Sequence, residues 1–191
     1  MNLRVARTVC IIAVPILAAM GALAPIALPS QTDERLDALF DRLKTTHSEA
    51  EAARLTQQIW IIWVESESEA VNAFMAQGIA EMSRRHYEAA LAAFNKVVEV
   101  EPGFAEGWNK RATVYYLMGD YEASIRDVER TLALEPRHFG ALSGLGLISL
   151  AVGDDVAALQ AFEAALRVNP YLPGARAHVK ELRRRLRRNS I

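Results

Sequence analysis

The stretch "YLMGDYEASIRDVERTLALEP", Tyr116 to Pro136, holds a Gly-Asp-Tyr turn, an amphipathic run and a proline. Gly119 tolerates the left-handed backbone that ends a helix. Asp120 can cap the next one. Pro136 has no N–H to continue it. Taken alone, this describes one helix with a turn in front, and the neighbouring sequence turns it into one unit of a series. Prolines fall at Pro102, Pro136 and Pro170, both spacings being 34, with flanks Val100-Glu101, Leu134-Glu135 and Val168-Asn169. Gly119-Asp120-Tyr121 lies 34 residues before Gly153-Asp154-Asp155 and 34 after Arg85-His86-Tyr87. A period of this length predicts stacked helical hairpins, each leaving an apolar face that only the next can cover. The Gly-Asp pair is then punctuation inside a repeat and not a phosphate loop.

Aligned as 71–104, 105–138 and 139–172, three units agree position by position. A large apolar residue stands near each start (Phe74, Trp108, Leu142). A small one follows where two helices would approach closely (Gly78, Ala112, Gly146). The second helix carries a small residue (Ala90, Ser124, Ala158), then a bulky one (Phe94, Val128, Phe162). On these residues and the closing Pro102, Pro136 and Pro170, the chain resembles the tetratricopeptide repeat (TPR) family over 71–172. The family's usual tyrosine is present only as Tyr115, with Glu81 and Ser149 in the other units, and Arg85 replaces a turn glycine. The later small position is Val97, Thr131 and Ala165. The resemblance implies an all-α solenoid of antiparallel helix pairs. The residues support helices independently: Trp108, Ala112, Tyr115 and Leu117 fit one stripe, and Ala123, Val128, Leu132 and Leu134 another.

Residues 31–70 read as an N-terminal helical pair. Leu36, Leu39, Phe40 and Leu43 follow helical spacing, and Ser48-Glu49-Ala50-Glu51 has the pattern of a capping box. The second helix ends in "QQIWIIWVES", where Ile59 to Val64 is apolar all round and wants burial all round. One reading is a degenerate fourth hairpin stacked on helix A of 71–104. The other is a partner-binding aromatic patch at Trp60 and Trp63. At the far end, 173–191 reads as a basic capping helix. Ala175, Val179, Leu182 and Leu186 form its stripe, flanked by Arg176, Lys180, Arg183, Arg184, Arg185, Arg187 and Arg188. It either caps the open stack or makes an anionic contact with lipid or protein, including a possible membrane contact.

Residues 1–28 differ. Arg4 and Arg7 precede the uncharged run Val9 to Leu28, which predicts a signal peptide or a membrane anchor. Candidate cleavage sites are Ala22-Leu23-Ala24 and Ala19-Met20-Gly21. Either outcome places the rest outside the cytoplasm, in a periplasmic space or anchored in the inner membrane facing it. The chain of 191 residues is 51% hydrophobic with net charge −1, so bulk charge draws no polyanion, and no nucleic-acid partner is expected. Cys10 is the only cysteine, so no intramolecular disulfide can form.

No catalytic or metal constellation stands out. His47, His86, His138 and His178 are far apart and read as turn or surface residues. No cofactor and no enzyme activity are expected. What remains is a surface. In the resembled family helix A lines a concave groove, which here implies Met75, Ile79 and Met82, then Asn109, Lys110, Thr113 and Tyr116, then Ser143, Gly144, Leu147 and Leu150. Some members clamp a C-terminal carboxylate with Lys and Asn. Only Asn109 and Lys110 come close, and neither sits where a full clamp needs it. The groove either takes a partner or is filled by the chain's own N-terminal helix or cap. The resemblance extends to small exported TPR proteins of Gram-negative bacteria and implies a non-catalytic protein–protein scaffold of the cell envelope. A membrane-anchored assembly or accessory factor and a self-associating module are the alternatives.

Overall fold

A computed structural model of the protein describes residues 33 to 189. The leader-or-anchor reading of residues 1–28 lies outside them. Among the described residues there are helices and no strands: α1 (Glu34–Thr45), α2 (Glu49–Val64), α3 (Glu69–Ser83), α4 (Tyr87–Val100), α5 (Ala105–Met118), α6 (Tyr121–Leu134), α7 (Phe139–Ala151), α8 (Asp155–Val168) and α9 (Pro173–Asn189). Among them no helix is long and apolar enough to cross a membrane.

The punctuation works as the residue types require. Asp120 and Asp154 accept from the backbone N–H of Ala123 and Ala157 at 3.0 and 2.8 Å, closing the starts of α6 and α8. Gly119 and Gly153 each sit at φ 82° between the helices of their pairs. In the first pair the same place is held by Arg85 at φ 63°, a backbone state that carries a steric cost for any side chain. The capping box at Ser48 is only half formed. Ser48 Oγ accepts from Glu51 N–H at 3.3 Å, but the Glu51 carboxylate takes the Thr46 hydroxyl at 2.6 Å. Thr46 in turn accepts the Ser48 N–H at 3.1 Å.

Within each pair the helices meet at one matched contact. A Cβ on Gly78 would stand 2.5 Å from the Phe94 ring, and one on Gly146 2.7 Å from the Phe162 ring. In the middle pair the small residue is Ala112 and its opposite is the smaller Val128, both buried in one cluster. Glycine opposes phenylalanine twice and alanine opposes valine once, so the summed volume is nearly kept. Ala90, Ser124 and Ala158 are buried beside these contacts, and Ser124 Oγ donates to the Ala112 carbonyl at 2.7 Å.

The stripe expected for α5 is corrected. Leu117 is exposed and Trp108 and Tyr115 are half-buried, whereas Ala105, Glu106, Gly107, Asn109, Ala112 and Val114 are buried. Helix α5 packs on α4, α6, α7, α3 and α2, so its burial follows several faces. Trp108 serves the repeat junction: its indole N–H donates to the Pro102 carbonyl at 3.0 Å, and the Arg111 guanidinium lies 4.8 Å over its ring. At the far end, α9 buries Ala175, Val179 and Leu182 against Ala158 and Phe162. Four of its seven basic side chains are ion-paired, to Glu49, Glu163, Glu181 and Asp155.

The pair α1–α2 does not extend the stack onto α3, contrary to one sequence expectation. Its buried face of Leu36, Phe40, Leu43, Ile59, Ile62 and Trp63 packs with Phe139, Val168, Tyr171 and Leu172. These contacts belong to the start of α7 and to the turn between α8 and α9. The hairpin therefore folds back along the edge where successive repeats are joined.

The matched contacts make opposite predictions for two glycines of α7. Gly146→Ala should destabilise by about 1–3 kcal/mol, because its methyl group meets an aromatic ring. At Gly144 an added Cβ meets nothing within 4 Å. Gly144→Ala should therefore stabilise by up to about 1 kcal/mol through helix propensity. Urea denaturation midpoints should move in opposite directions; equal shifts would show the register to be wrong.

Candidate functional site

Three equivalent residues end the second helix of each pair: Glu101, Glu135 and Asn169. Each lies at the seam with the N-terminal hairpin. Glu101 accepts a hydrogen bond from Ser66 Oγ, just after α2. Glu135 holds Arg137 at 3.0 Å, and Arg137 reaches Asp37 at 2.6 Å while lying 4.5 Å over the Phe40 ring. Asn169 donates to Thr56 Oγ1 at 2.9 Å. Tyr171, two residues on, donates its hydroxyl to the Thr46 carbonyl at 2.6 Å. The hairpin and the loop that follows it thus brace the two inter-repeat turns and the turn between α8 and α9.

The centre of the brace is a buried carboxylate. Glu106, in the first turn of α5, has a fully buried side chain, as does His138. His138 Nδ1 accepts the N–H of Ala141 at 3.0 Å and so caps α7. That bond assigns the ring proton to Nε2, which donates to Glu106 Oε2 at 2.9 Å. Asn109 Nδ2 donates to the same oxygen at 2.8 Å. Lys110 Nζ stands 2.9 Å from Oε1, close enough to ion-pair although not aligned as a hydrogen bond. Over this group the Trp63 indole stacks on the His138 ring, centroids 4.2 Å apart and 10° from parallel. Trp60 packs edge-on to Phe139 at 5.4 Å, and Lys110 lies 5.5 Å from its ring centre. Burial opposes ionisation of Glu106, but the His138 hydrogen bond and the Lys110 charge outweigh it and hold its pKa below the ordinary 4.5.

The groove residues expected from sequence divide into groups. Met75 is buried in the core of α3, α4 and α5, where Val71, Phe94 and Val97 surround it, so it offers nothing to a ligand. Met82 packs half-buried on that core, and Ile79 is exposed. Asn109 is also buried, and with Lys110 it is consumed by Glu106. The pair that hinted at a carboxylate clamp therefore clamps the chain's own carboxylate. Ser143 spends its hydroxyl on the Phe139 carbonyl at 2.8 Å. Thr113, Tyr116, Gly144 and Leu147 come together, with Asn109 behind them, around a recess of about 70 Å³ between α5 and α7.

Sequence reasoning does not single out Glu106 or His138 as site residues; His138, read there as a turn or surface residue, does lie in the α6–α7 turn but is buried. The signal available was positional. His138 occupies the place of Phe104 and Leu172 and is polar where the other repeats are apolar, whereas Glu106 falls where the other repeats carry Asn72 and Gly140 and gives no such signal. His47 and His86 are exposed, and His178 stacks on Phe162 at 4.5 Å. Among the described residues no group of three His, Cys, Asp or Glu could hold a metal ion.

Comparison with known proteins agrees with this architecture. The CABIN1 N-terminal domain family model matches residues 46–185. A TPR repeat-containing protein of Rhizobium etli is 35% identical over 160 residues, covering 84% of this chain and 78% of that protein. Among solved structures, the Sgt2 TPR domain from Aspergillus fumigatus superposes with a TM-score of 0.61 at 20% identity, covering 64% of this chain and 83% of that one. The first TPR of Spaghetti (RPAP3), bound to the HSP90 peptide SRMEEVD, gives 0.60 at 18% identity, covering 63% and 95%.

The carboxylate cluster should be visible in acid. Because folding lowers the Glu106 pKa, its contribution is complete above pH 4.5 and is lost as pH falls from there through the lower folded value. Glu106→Gln removes the titrating group. The stability advantage of the parent chain over this variant should shrink between pH 7 and about pH 3.5 in urea titrations. A constant difference would place the acid sensitivity elsewhere. Glu106→Ala should cost about 3–5 kcal/mol at pH 7, as expected for breaking a buried charge pair.

Proposed function

Because the chain belongs to the tetratricopeptide repeat family, we propose that it is a non-catalytic scaffold that binds a segment of another protein along the face formed by α3, α5 and α7. The observation that carries this reading is the recess between α5 and α7, whose lining includes Thr113, Tyr116, Gly144 and Leu147. It lies beside the place where the same face already holds a polypeptide, the chain's own α1–α2 hairpin, through Trp60 against Gly140. An apolar recess with a few hydroxyls at its wall suits a peptide segment. The HSP90 peptide held by the RPAP3 domain supports this by likeness of fold.

We place this work in the cell envelope. The support is the order of Arg4, Arg7 and the uncharged run Val9–Leu28, the arrangement of a leader or anchor whose basic end stays in the cytoplasm. N-terminal sequencing of the mature protein distinguishes the cleaved from the anchored form. Helix α9 serves as the cap of the stack in this reading, its arginines largely spent on ion pairs within the chain.

The binding face is tested by Gly144→Arg, which puts a long charged side chain into open space. Helicity and thermal midpoint should stay near those of the parent, while affinity for the captured partner falls at least tenfold, about 1.4 kcal/mol. Capture from source-cell extracts followed by titration with the purified partner measures this. Undiminished affinity in a folded variant would move the binding surface off this face.

A further inference from the structure

The recess at Gly144 continues a contact that the chain already makes with itself. On α7, Gly140 and Gly144 are one turn apart and face the same way. At Gly140 the position is filled: a Cβ there would stand 2.6 Å from the Trp60 indole. At Gly144 the equivalent space is open, with nothing within 4 Å of an added Cβ. Gly140 itself also lines the recess, so the filled and open positions share a wall. The recess of about 70 Å³ is several times the roughly 10–15 Å³ that one water requires and about half the roughly 150 Å³ of a cavity that encloses benzene, so it admits the edge of a ring and not a whole one. Its other walls include Ala112, Thr113, Tyr116 and Leu147, with Asn109 of α5 and Ser124 and Val128 of α6 behind them, and no charged side chain is among its lining residues.

We propose that this recess takes the edge of one aromatic side chain, carried by an uncharged segment of a protein partner, seated over Gly144 as the edge of Trp60 is seated over Gly140. The proposal rests on the reading of the α5–α7 face as a binding face and narrows what binds there. An aromatic ring would bury apolar area on the glycine floor and meet Tyr116 at its edge. An acidic tail finds no counter-charge. Lys110 is held by the buried Glu106 carboxylate and lies over Trp60. Arg111, the other cation of α5, is committed to Asp127 through two bonds of 2.7 and 2.8 Å and to Asn95 at 2.9 Å. Helix α7 carries no charged residue. Carboxylates brought into the recess would lose water and gain no partner.

The test is a backbone amide NMR titration of the full chain with two probes, indole and the acidic peptide SRMEEVD. Indole should shift the resonances of Thr113, Tyr116, Gly144 and Leu147 saturably, and those shifts should vanish in Gly144→Leu, whose side chain fills the open space. SRMEEVD should leave the four residues unmoved. The proposal is overturned if indole leaves them unmoved, if Gly144→Leu retains their response while folded, or if SRMEEVD perturbs them at lower concentration than indole. Failure here is separable from failure of the binding face itself. If Gly144→Arg abolishes capture while indole does not bind, the face stands and the chemistry assigned to its recess falls. If Gly144→Arg leaves capture intact, the face itself is wrong.

Discussion

A carboxylate with no access to water joins the parts of this molecule. Glu106 sits on the second hairpin, its histidine partner opens the third, and the indole stacked on that histidine comes from the N-terminal pair. An ionised group in such a place is tolerable only with compensating donors. Asn109, Lys110 and His138 supply them, and His138 can do so only while it also caps α7. The start of α5, the start of α7 and the packing of α2 are therefore set together. The indole N–H of Trp63 finds no acceptor among the described residues. Apolar area and ring stacking place that side chain, against the cost of burying its unpaired N–H.

The consequence for function follows from what this cluster consumes. In a repeat array the inner helices expose polar side chains that a ligand can use. Here the two best donors of α5 are turned inward by a carboxylate on their own helix, and a tryptophan closes the neighbouring stretch of α7. What remains open is uncharged and bounded by Tyr116, Gly144 and Leu147. The hairpin covers part of the face as it braces the turns, so in the proposed binding role stability and selectivity would share one set of contacts.

The repeat itself was legible because its determinants are local and periodic. Gly119, Asp120 and Pro136 act on their own backbone, and Gly78 and Gly146 meet rings sixteen residues away in the same hairpin. The brace was not legible because its contacts join residues far apart and obey no period: Tyr171 reaches Thr46, and Arg137 reaches Asp37. Trp60 and Trp63 were recognised as needing cover on every side, yet periodicity could not say which surface would cover them. The same gap hides that Met75 belongs to a core and that Asn109, although it lines the recess, spends its amide on Glu106. A helix wheel locates a face, whereas the burial of Asn109 depends on a glutamate one turn before it and a histidine from the next repeat. Thr113, Tyr116, Gly144 and Leu147 line one recess between neighbouring repeats.

Docking of the N-terminal hairpin against the inter-repeat turns is the central claim, and amide hydrogen exchange tests it most directly. If α2 is locked through Trp63 onto His138, the amides of residues 59–63 should exchange as slowly as those at the centre of α5, through the same cooperative unfolding. Fast exchange across residues 59–63 beside a protected α5 would contradict the account, because it would mean that the hairpin opens independently of the array.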